Sequence, residues 1–243
     1  MAGPGSHDDL GLPPGTRIES VEAIRRAHQA RSATRLEAAP VPEPQPWRPS
    51  RRPPLGLLCA LDDGSDEGEW VRLRCTPFVI GRTSGDLLIP HDDLVSGRHL
   101  EITRKHGPGG WRWVLADLGS TNGTFVRVAS LRLKHEGELL LAGRRYRFDE
   151  AGPALVEVLP EGDGPRYPLE AGQDAGRDPA RCAVLIDDPF LDPVHARIAR
   201  DPEGWALSAA STLNGTWLRV ARANVGNACH FQVGEQRFLL RSC

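Results

Sequence analysis

The 243-residue sequence lacks the features that mark several large classes of protein. Its five cysteines form no CxxC pair, and an odd number suits reduced thiols better than a disulfide framework. No apolar run is long enough to span a bilayer, and the first residues do not resemble a signal peptide, so we expect a cytoplasmic protein without a membrane partner. The formal net charge of -2 gives no sign of a nucleic-acid partner.

The sequence also lacks a catalytic or metal-binding constellation. No base stands beside a nucleophile at a catalytic spacing. His91, Asp92 and Asp93 are adjacent, but three consecutive side chains point in different directions, which does not suit a metal ion. We therefore expect no enzyme activity, no metal and no cofactor.

The first part of the chain differs in composition from the rest. Residues 1–15 are polar and rich in Gly and Pro, so they cannot bury enough apolar surface to be ordered alone. Residues 16–39 carry a thin apolar stripe at helical spacing, and such a helix needs a partner to pack against. Residues 40–54 are a proline-rich linker. We predict a flexible, partly helical N-terminal segment over residues 1–54.

From about residue 55, short apolar runs alternate with Gly, Asp and Asn turns. No long amphipathic helix interrupts this pattern, which is typical of an all-β sandwich or barrel. The strands predicted in the first part are Leu57–Leu61, Trp70–Leu73, Phe78–Ile80, Leu87–Ile89, His99–Ile102, Trp111–Leu115, Thr124–Val126 and Tyr146–Phe148.

Four landmarks of this β-rich part occur twice, in the same order and at a nearly constant offset. They are Gly81-Arg82 and Gly176-Arg177, His99 and His195, Asn122-Gly123-Thr124 and Asn214-Gly215-Thr216, and Gly143 and Gly234. Such a series is hard to obtain by chance. We therefore predict two tandem copies of one domain, at residues 55–158 and 164–243, with turn chemistry between them.

Three polar motifs of the first copy are predicted to lie at strand ends, where a sandwich clusters its loops. They are Gly81-Arg82, Ser96-Gly97-Arg98-His99 and the stretch from Asp117 to Thr124. Together they supply a guanidinium, several hydroxyls, a carboxamide and backbone N–H groups beside glycine. This set suits a dianionic phosphate, because arginine gives planar charge-assisted donors and glycine allows close approach of the backbone.

These motifs, in this order and with apolar strands between them, resemble those of the forkhead-associated (FHA) family of phosphothreonine-reading β-sandwiches. The resemblance covers residues 70–150 well and residues 165–241 more weakly. It implies an eleven-stranded sandwich that reads short phosphothreonine segments through loops at one end. We accordingly expect an all-β chain with two tandem FHA-like sandwiches.

The resemblance also implies which residues bind the phosphopeptide. Arg82 and Ser96 are expected to contact the phosphate. Thr121 is expected to contact the phosphothreonine or its neighbouring backbone, and Asn122 the peptide main chain.

Other residues complete or support this predicted site. Gly97 stands where the family often has a basic or amide residue, so it offers only its backbone N–H, and Arg98 follows it. Gly81, His99 and Gly123 are expected to support the loops, with His99 as a buried brace.

The second copy keeps Arg177, His195 and Asn214 but departs from the pattern at three positions, one of which is Pro193, which lacks a backbone N–H. Asp192 replaces the phosphate-binding serine and Leu213 replaces the threonine. Because a carboxylate repels a phosphate, we expect this second site to be degenerate.

Two functions are consistent with these features. The first is a phosphothreonine-dependent adaptor in Ser/Thr kinase signalling, with a kinase or its substrates as partners. The second is a structural or oligomerisation scaffold of FHA-like folds without phosphate binding. The complete set of residues in the first copy favours the adaptor.

The N-terminal segment is a candidate intramolecular ligand. It carries Thr16 and Thr34 on a stretch expected to be flexible, and Thr34 lies near Arg31 and Arg35, where a kinase could reach it. If phosphorylated, Thr34 could fold back onto the Arg82 site at a high effective concentration. An unmodified threonine is the more common state of such a residue.

Overall fold

The computed structural model of the chain describes residues 11, 15–29, 52–210 and 212–242, which contain one helix and twenty strands. In chain order these are β1 (Arg17–Ile18), α1 (Val21–Gln29), β2 (Gly56–Leu61), β3 (Gly68–Leu73), β4 (Phe78–Gly81), β5 (Leu87–Leu88), β6 (Leu100–Gly107), β7 (Gly110–Asp117), β8 (Thr124–Arg132), β9 (Glu138–Leu141), β10 (Arg144–Asp149), β11 (Ala154–Leu159), β12 (Gly162–Pro168), β13 (Asp174–Gly176), β14 (Val184–Leu185), β15 (Ala196–Asp201), β16 (Gly204–Ala209), β17 (Thr216–Val220), β18 (Arg222–Val225), β19 (Ala228–Val233) and β20 (Gln236–Ser242).

The prediction of an all-β fold is confirmed. Every strand predicted from the sequence overlaps one of β2 to β8 or β10. None of the described helical residues forms a stretch long and apolar enough to cross a membrane.

The strands form two sandwiches, and one of them is inserted into the sequence of the other. The outer sandwich comprises residues 56–126 and 222–242. One of its sheets has the order β18-β7-β6-β4-β5, and the other joins β3, β2, β20, β19 and the start of β8. The last strand of the chain therefore lies beside β2, from Gly56 opposite Ser242 to Ala60 opposite Phe238.

The inner sandwich comprises residues 128–220. One of its sheets has the order β12-β11-β10-β9-β17, and the other joins the end of β8 to β16, β15, β13 and β14. Each strand of the inner sandwich has a counterpart in the outer one. The two sandwiches are thus the two structural copies of the repeat.

Strand β8 carries the chain from the outer sandwich into the inner one. Its nine residues include neither Gly nor Pro, the residues that most often interrupt a strand, and the strand continues without a break. The first five residues of β8 pair with β17, from Thr124 opposite Val220 to Val128 opposite Thr216. Thr124 and Thr216 begin the equivalent strands of the two copies, so these strands lie side by side where the sandwiches meet.

Strand pairing consequently does not follow the predicted copies at residues 55–158 and 164–243. Each sandwich takes strands from both stretches of sequence. These boundaries stay a prediction about the sequence repeat, whereas the sandwiches describe how the strands pair.

The described part of the N-terminal segment packs against the junction of the sandwiches. Helix α1 lies within the predicted helical stretch 16–39 and begins after Ser20, whose Oγ accepts a hydrogen bond of 3.1 Å from the Ala23 N–H. Val21 is buried against residues of β2 and β20. The partner that this thin apolar stripe requires is therefore the chain's own sheet.

A buried ion pair holds the same segment in place. The Arg127 Nε donates to the Glu19 Oε2 over 2.9 Å, and both side chains are largely excluded from water. Thr16 is 5% exposed, so it does not lie on a flexible stretch as expected. Thr34, the second predicted phosphorylation site, lies outside the described residues.

Fragments of the chain test this exchange of strands. We expect residues 128–220 to fold as an isolated fragment, because every strand of the inner sandwich lies in that continuous stretch. Residues 164–243 should stay unfolded alone, since their partner strands in β2 to β12 are missing. Circular dichroism and cooperative urea unfolding measure both outcomes. Independent, cooperative folding of residues 55–158 and 164–243 would contradict the exchange.

Candidate functional site

Three loops meet at one end of the outer sandwich. The Arg82 N–H donates to the Ser96 carbonyl over 2.9 Å, and the Ser84 N–H donates to the Gly97 carbonyl over 3.0 Å. The loop after β4 therefore lies directly on the turn before β6. A Cβ on Gly81 would stand 2.3 Å from the Gly97 oxygen, so this close approach requires glycine.

Ser96 joins the second loop to the third. Its Oγ accepts a hydrogen bond of 3.1 Å from the Thr121 N–H. Because the hydroxyl accepts in that bond, its own O–H stays available to donate to a ligand. The Asn122 Nδ2 donates to the Leu94 carbonyl over 3.0 Å, which ties the same two loops together a second time.

His99 braces these loops from inside the sandwich, as predicted for a buried residue. The Ser96 N–H donates to its Nδ1 over 3.1 Å, so the proton of the neutral ring is on Nε2, which donates to the Gly123 carbonyl over 3.1 Å. Burial lowers the pKa of His99, although the bond to Gly123 and the Asp117 carboxylate act in the opposite direction. The ring is therefore neutral, and each nitrogen has a defined role.

Asp117 organises the third loop, a role that the sequence analysis missed. Its Oδ1 accepts from the N–H groups of Gly119 and Ser120, and its Oδ2 accepts from the hydroxyls of Ser120 and Thr124, over 2.6–2.9 Å. Burial would raise the pKa of this carboxyl, but these hydrogen bonds outweigh burial and hold it below its usual range. An Asp directly before a Ser-, Thr-, Asn- and Gly-rich stretch was the available signal, since Asp commonly accepts bonds from the turn that follows it.

The Arg82 guanidinium is half-buried and already contacts a carboxylate. Its Nη1 donates over 2.7 Å to Asp93, whose side chain is 93% exposed. Its Nε is buried and has no acceptor among the described residues. Thr121 and Arg98 are both exposed beside it. The predicted phosphate-binding residues thus line an open surface. On this surface the Asp93 carboxylate already forms an ion pair with the Arg82 guanidinium.

Asp92 supports the same loop from the other side. It accepts from the Leu94 N–H over 2.9 Å and from the Glu235 N–H over 2.7 Å. Gly234 permits this contact, because a Cβ there would stand 2.2 Å from the carboxylate. Asp92 and Asp93 therefore face different partners, and no group of residues in the described part of the chain could hold a metal ion.

The second copy repeats the bracing contacts of the first. The Asp192 N–H lies 3.4 Å from the Nδ1 of His195, whose Nε2 lies 3.0 Å from the Gly215 carbonyl. The Asn214 Nδ2 donates to the Phe190 carbonyl over 2.8 Å. The loops of the inner sandwich consequently have the same framework as those of the outer one.

The ligand-facing groups of the second copy differ. The Asp192 Oδ2 accepts from the Leu213 N–H over 3.0 Å, where the first copy uses the Ser96 hydroxyl. Arg177 donates from its Nε to the Leu191 carbonyl over 2.7 Å. A carboxylate thus takes the place of the hydroxyl, and a degenerate second site stays our prediction.

The pKa shifts of the two buried histidines predict a pH dependence of stability. Burial lowers the pKa of both His99 and His195, so the unfolded chain takes up protons before the folded one as the pH falls. The free energy of unfolding should therefore decrease below about pH 6.5, the ordinary histidine pKa. Urea unfolding at a series of pH values from neutral downward measures this. A His99→Gln/His195→Gln protein should show a weaker dependence, and an unchanged slope would refute the assignment.

One known protein family matches both copies of the chain. The family model of the FHA domain matches residues 78–142 and 174–234, slightly more than half of the chain. These two intervals contain all the predicted site residues of both copies.

Two curated relatives and a solved structure are similar to parts of the chain. FHA domain-containing protein FhaB is 38% identical over 71 residues in Mycolicibacterium smegmatis and 36% identical over 71 residues in Mycobacterium tuberculosis H37Rv. The matches cover 29% of this chain and 43% of each relative, so the chain spans less than half the length of the curated relatives it matches. A structure described as an analysis of phosphothreonine-dependent FHA domain interactions aligns with 77% of this chain and 95% of its own at 19% identity and a TM-score of 0.30.

Proposed function

Because the chain belongs to the FHA-domain family, we propose that it is a phosphothreonine-dependent protein-binding adaptor in Ser/Thr kinase signalling. The observation that carries this proposal is the meeting of Arg82, Ser96 and Thr121 on one open surface of the outer sandwich. The partners are phosphothreonine-containing proteins, either a Ser/Thr kinase or its substrates.

The phosphate takes the place of Asp93 on the Arg82 guanidinium. A phosphate monoester carries close to two negative charges at neutral pH, whereas Asp93 supplies one and is held only at the surface. The O–H of Ser96 is a further donor at this position. Such charge-assisted hydrogen bonds are the strong kind.

Asn122 holds the main chain of the peptide beside the phosphate. Its Nδ2 already donates to the Leu94 carbonyl, so its Oδ1 is the group that accepts from a peptide N–H. The side chain is therefore oriented before the ligand arrives.

The C-terminal stretch, residues 164–243, serves mainly to complete the fold. Its strands β18, β19 and β20 close the outer sandwich, and the Glu235 N–H supports the Asp92 loop. This arrangement explains why the second copy keeps its bracing residue, His195, although it carries Asp192 at the position equivalent to Ser96.

A binding role and a cytoplasmic location complete the proposal. The loops contain no base adjacent to a nucleophile among the described residues, so we propose no catalytic activity. The cysteines at positions 59, 75, 182 and 229 are free thiols, which suits a reducing compartment.

Removing the guanidinium of the first site tests the phosphate contact. Arg82→Ala should weaken binding of a phosphothreonine peptide by about tenfold or more, since charge-assisted hydrogen bonds contribute roughly 1.5–3 kcal/mol. Isothermal titration calorimetry on the full chain measures this. Arg177→Ala, the matched change in the second copy, should leave the affinity unaltered. Equal losses in the two variants, or none in Arg82→Ala, would place the site elsewhere.

Removing the competing carboxylate should have the opposite effect. Asp93→Asn frees Arg82 from a surface ion pair, so phosphopeptide affinity should rise by about two- to fivefold, the equivalent of an exposed salt bridge. Asp187→Asn, which removes the same charge from an exposed site on the inner sandwich, is the control. The role given to Asp93 would be wrong if its variant bound the peptide no more tightly than this control.

A further inference from the structure

A cavity of about 310 Å³ lies away from the phosphopeptide loops of the outer sandwich, although Leu213 and Asn214 of the second copy line part of it. Arg127, Arg237 and His230 line it, together with Asn214 and the ring of Trp217. Arg127 lies on the crossing strand β8, whereas Arg237 and His230 belong to the last hairpin of the chain. The cavity therefore lies where the two sandwiches meet.

Among the residues that the structure describes, Arg237 contacts only neutral groups. Its Nε donates to the Gln232 Oε1 over 3.2 Å, its Nη2 donates to the Ala142 carbonyl over 3.0 Å, and its Nη1 lies 3.5 Å from the Asn214 Oδ1. The guanidinium also stacks on Trp217, 4.9 Å from the ring centroid. A guanidinium has five N–H donors, so two are left over. No carboxylate of the described residues forms an ion pair with the Arg237 guanidinium.

The charge of Arg237 is correspondingly unfavourable. Burial and, secondly, the positive charge of Arg127 lower the pKa of Arg237 to about 10. Arg237 is partly buried, and a partly buried charge without an opposite charge destabilises the folded state unless a ligand supplies the missing charge.

The equivalent position of the other hairpin shows what is missing. There Arg145 and Arg219 both contact the carboxylate of Glu138, over 2.6 and 2.9 Å. Glu138 lies opposite Arg147 in β10, and His230 lies opposite Leu239 in β20, which are corresponding positions of the two hairpins. The register therefore puts His230 in the place of the carboxylate that neutralises the arginine pair.

In the second arginine pair, Arg127 and Arg237, only Arg127 contacts a carboxylate of the described residues. Arg127 contacts Glu19 of the N-terminal segment over 2.9 Å and the Thr212 carbonyl over 2.7 Å. No carboxylate of the described residues contacts Arg237 in the same way, so this part of the cavity wall carries one unneutralised cation.

Acidic residues also border the cavity, and they limit what can enter it. Asp62, Asp63 and Asp66 of the loop after β2 line its edge, as does Glu235. None of them forms a described ion pair with Arg237. Their negative charges oppose a large, highly charged ligand and favour a small one.

We propose that this cavity is a binding site for a small oxyanion, a phosphate or a carboxylate group, held by the guanidinium of Arg237 with Arg127 beside it. Both groups match the planar donors of arginine. The site is separate from the phosphopeptide loops of the outer sandwich and does not depend on the proposed function.

Thermal unfolding of the full chain tests this proposal. The Arg82→Ala background removes the other expected phosphate site. Inorganic phosphate or acetate replaces chloride at constant ionic strength, and the two arms distinguish the two kinds of oxyanion. A tenfold excess of anion over its Kd should raise the melting temperature by roughly 3–5 °C for a chain of this size. No saturable rise with either anion would overturn the proposal.

Two variants assign the effect to the cavity. Arg237→Gln should abolish the rise. His230→Glu should also abolish it and should raise the melting temperature without anion, because it restores the carboxylate found at Glu138. Arg145→Gln, the matched arginine of the other hairpin, should keep the response. An undiminished response in both Arg237→Gln and His230→Glu would exclude the cavity as the site.

Discussion

The architecture depends on one uninterrupted strand. Because β8 runs without a break from Thr124 to Arg132, the chain leaves the first sandwich before that sandwich is complete. The inner sandwich then forms, and the last three strands of the chain return to complete the outer one. Both sandwiches therefore share a junction, and the central strands β8 and β17 belong to a single continuous sheet.

This junction links the two halves of the chain structurally. The Asp92 loop, which stands beside the candidate phosphate surface, is held by the Glu235 N–H of the last hairpin. The strands β18, β19 and β20 of the C-terminal stretch are needed to complete the outer sandwich, whatever groups the loops of the inner sandwich carry. The His195 brace of the inner sandwich fits this arrangement, because a neutral histidine between Asp192 and Gly215 orders a loop whether or not the loop binds phosphate.

The sequence predicts local features well and non-local ones poorly. The position of His99 inside the sandwich and the clustering of Arg82 and Ser96 follow from motifs that each lie within a few residues. The exchange of strands between the sandwiches does not follow from local motifs. Strands β2 and β20 pair although they are far apart in the chain, and the possible partner strands of β2 in the two copies are similar to each other. The sequence also does not predict that Arg237 lacks a carboxylate partner among the described residues. This becomes evident only when His230 is compared with Glu138 at the equivalent position of the other hairpin.

The account's central claim is that the loops of the outer sandwich, and not those of the inner one, hold a phosphorylated threonine. Titration of the isotopically labelled full chain with a phosphothreonine peptide, followed by amide NMR shifts, tests this most directly. The account predicts saturable shifts at Arg82, Gly97 and Thr121, with none for the unphosphorylated peptide. Shifts centred on residues 177–192 and 213–214, or equal shifts with both peptides, would contradict it.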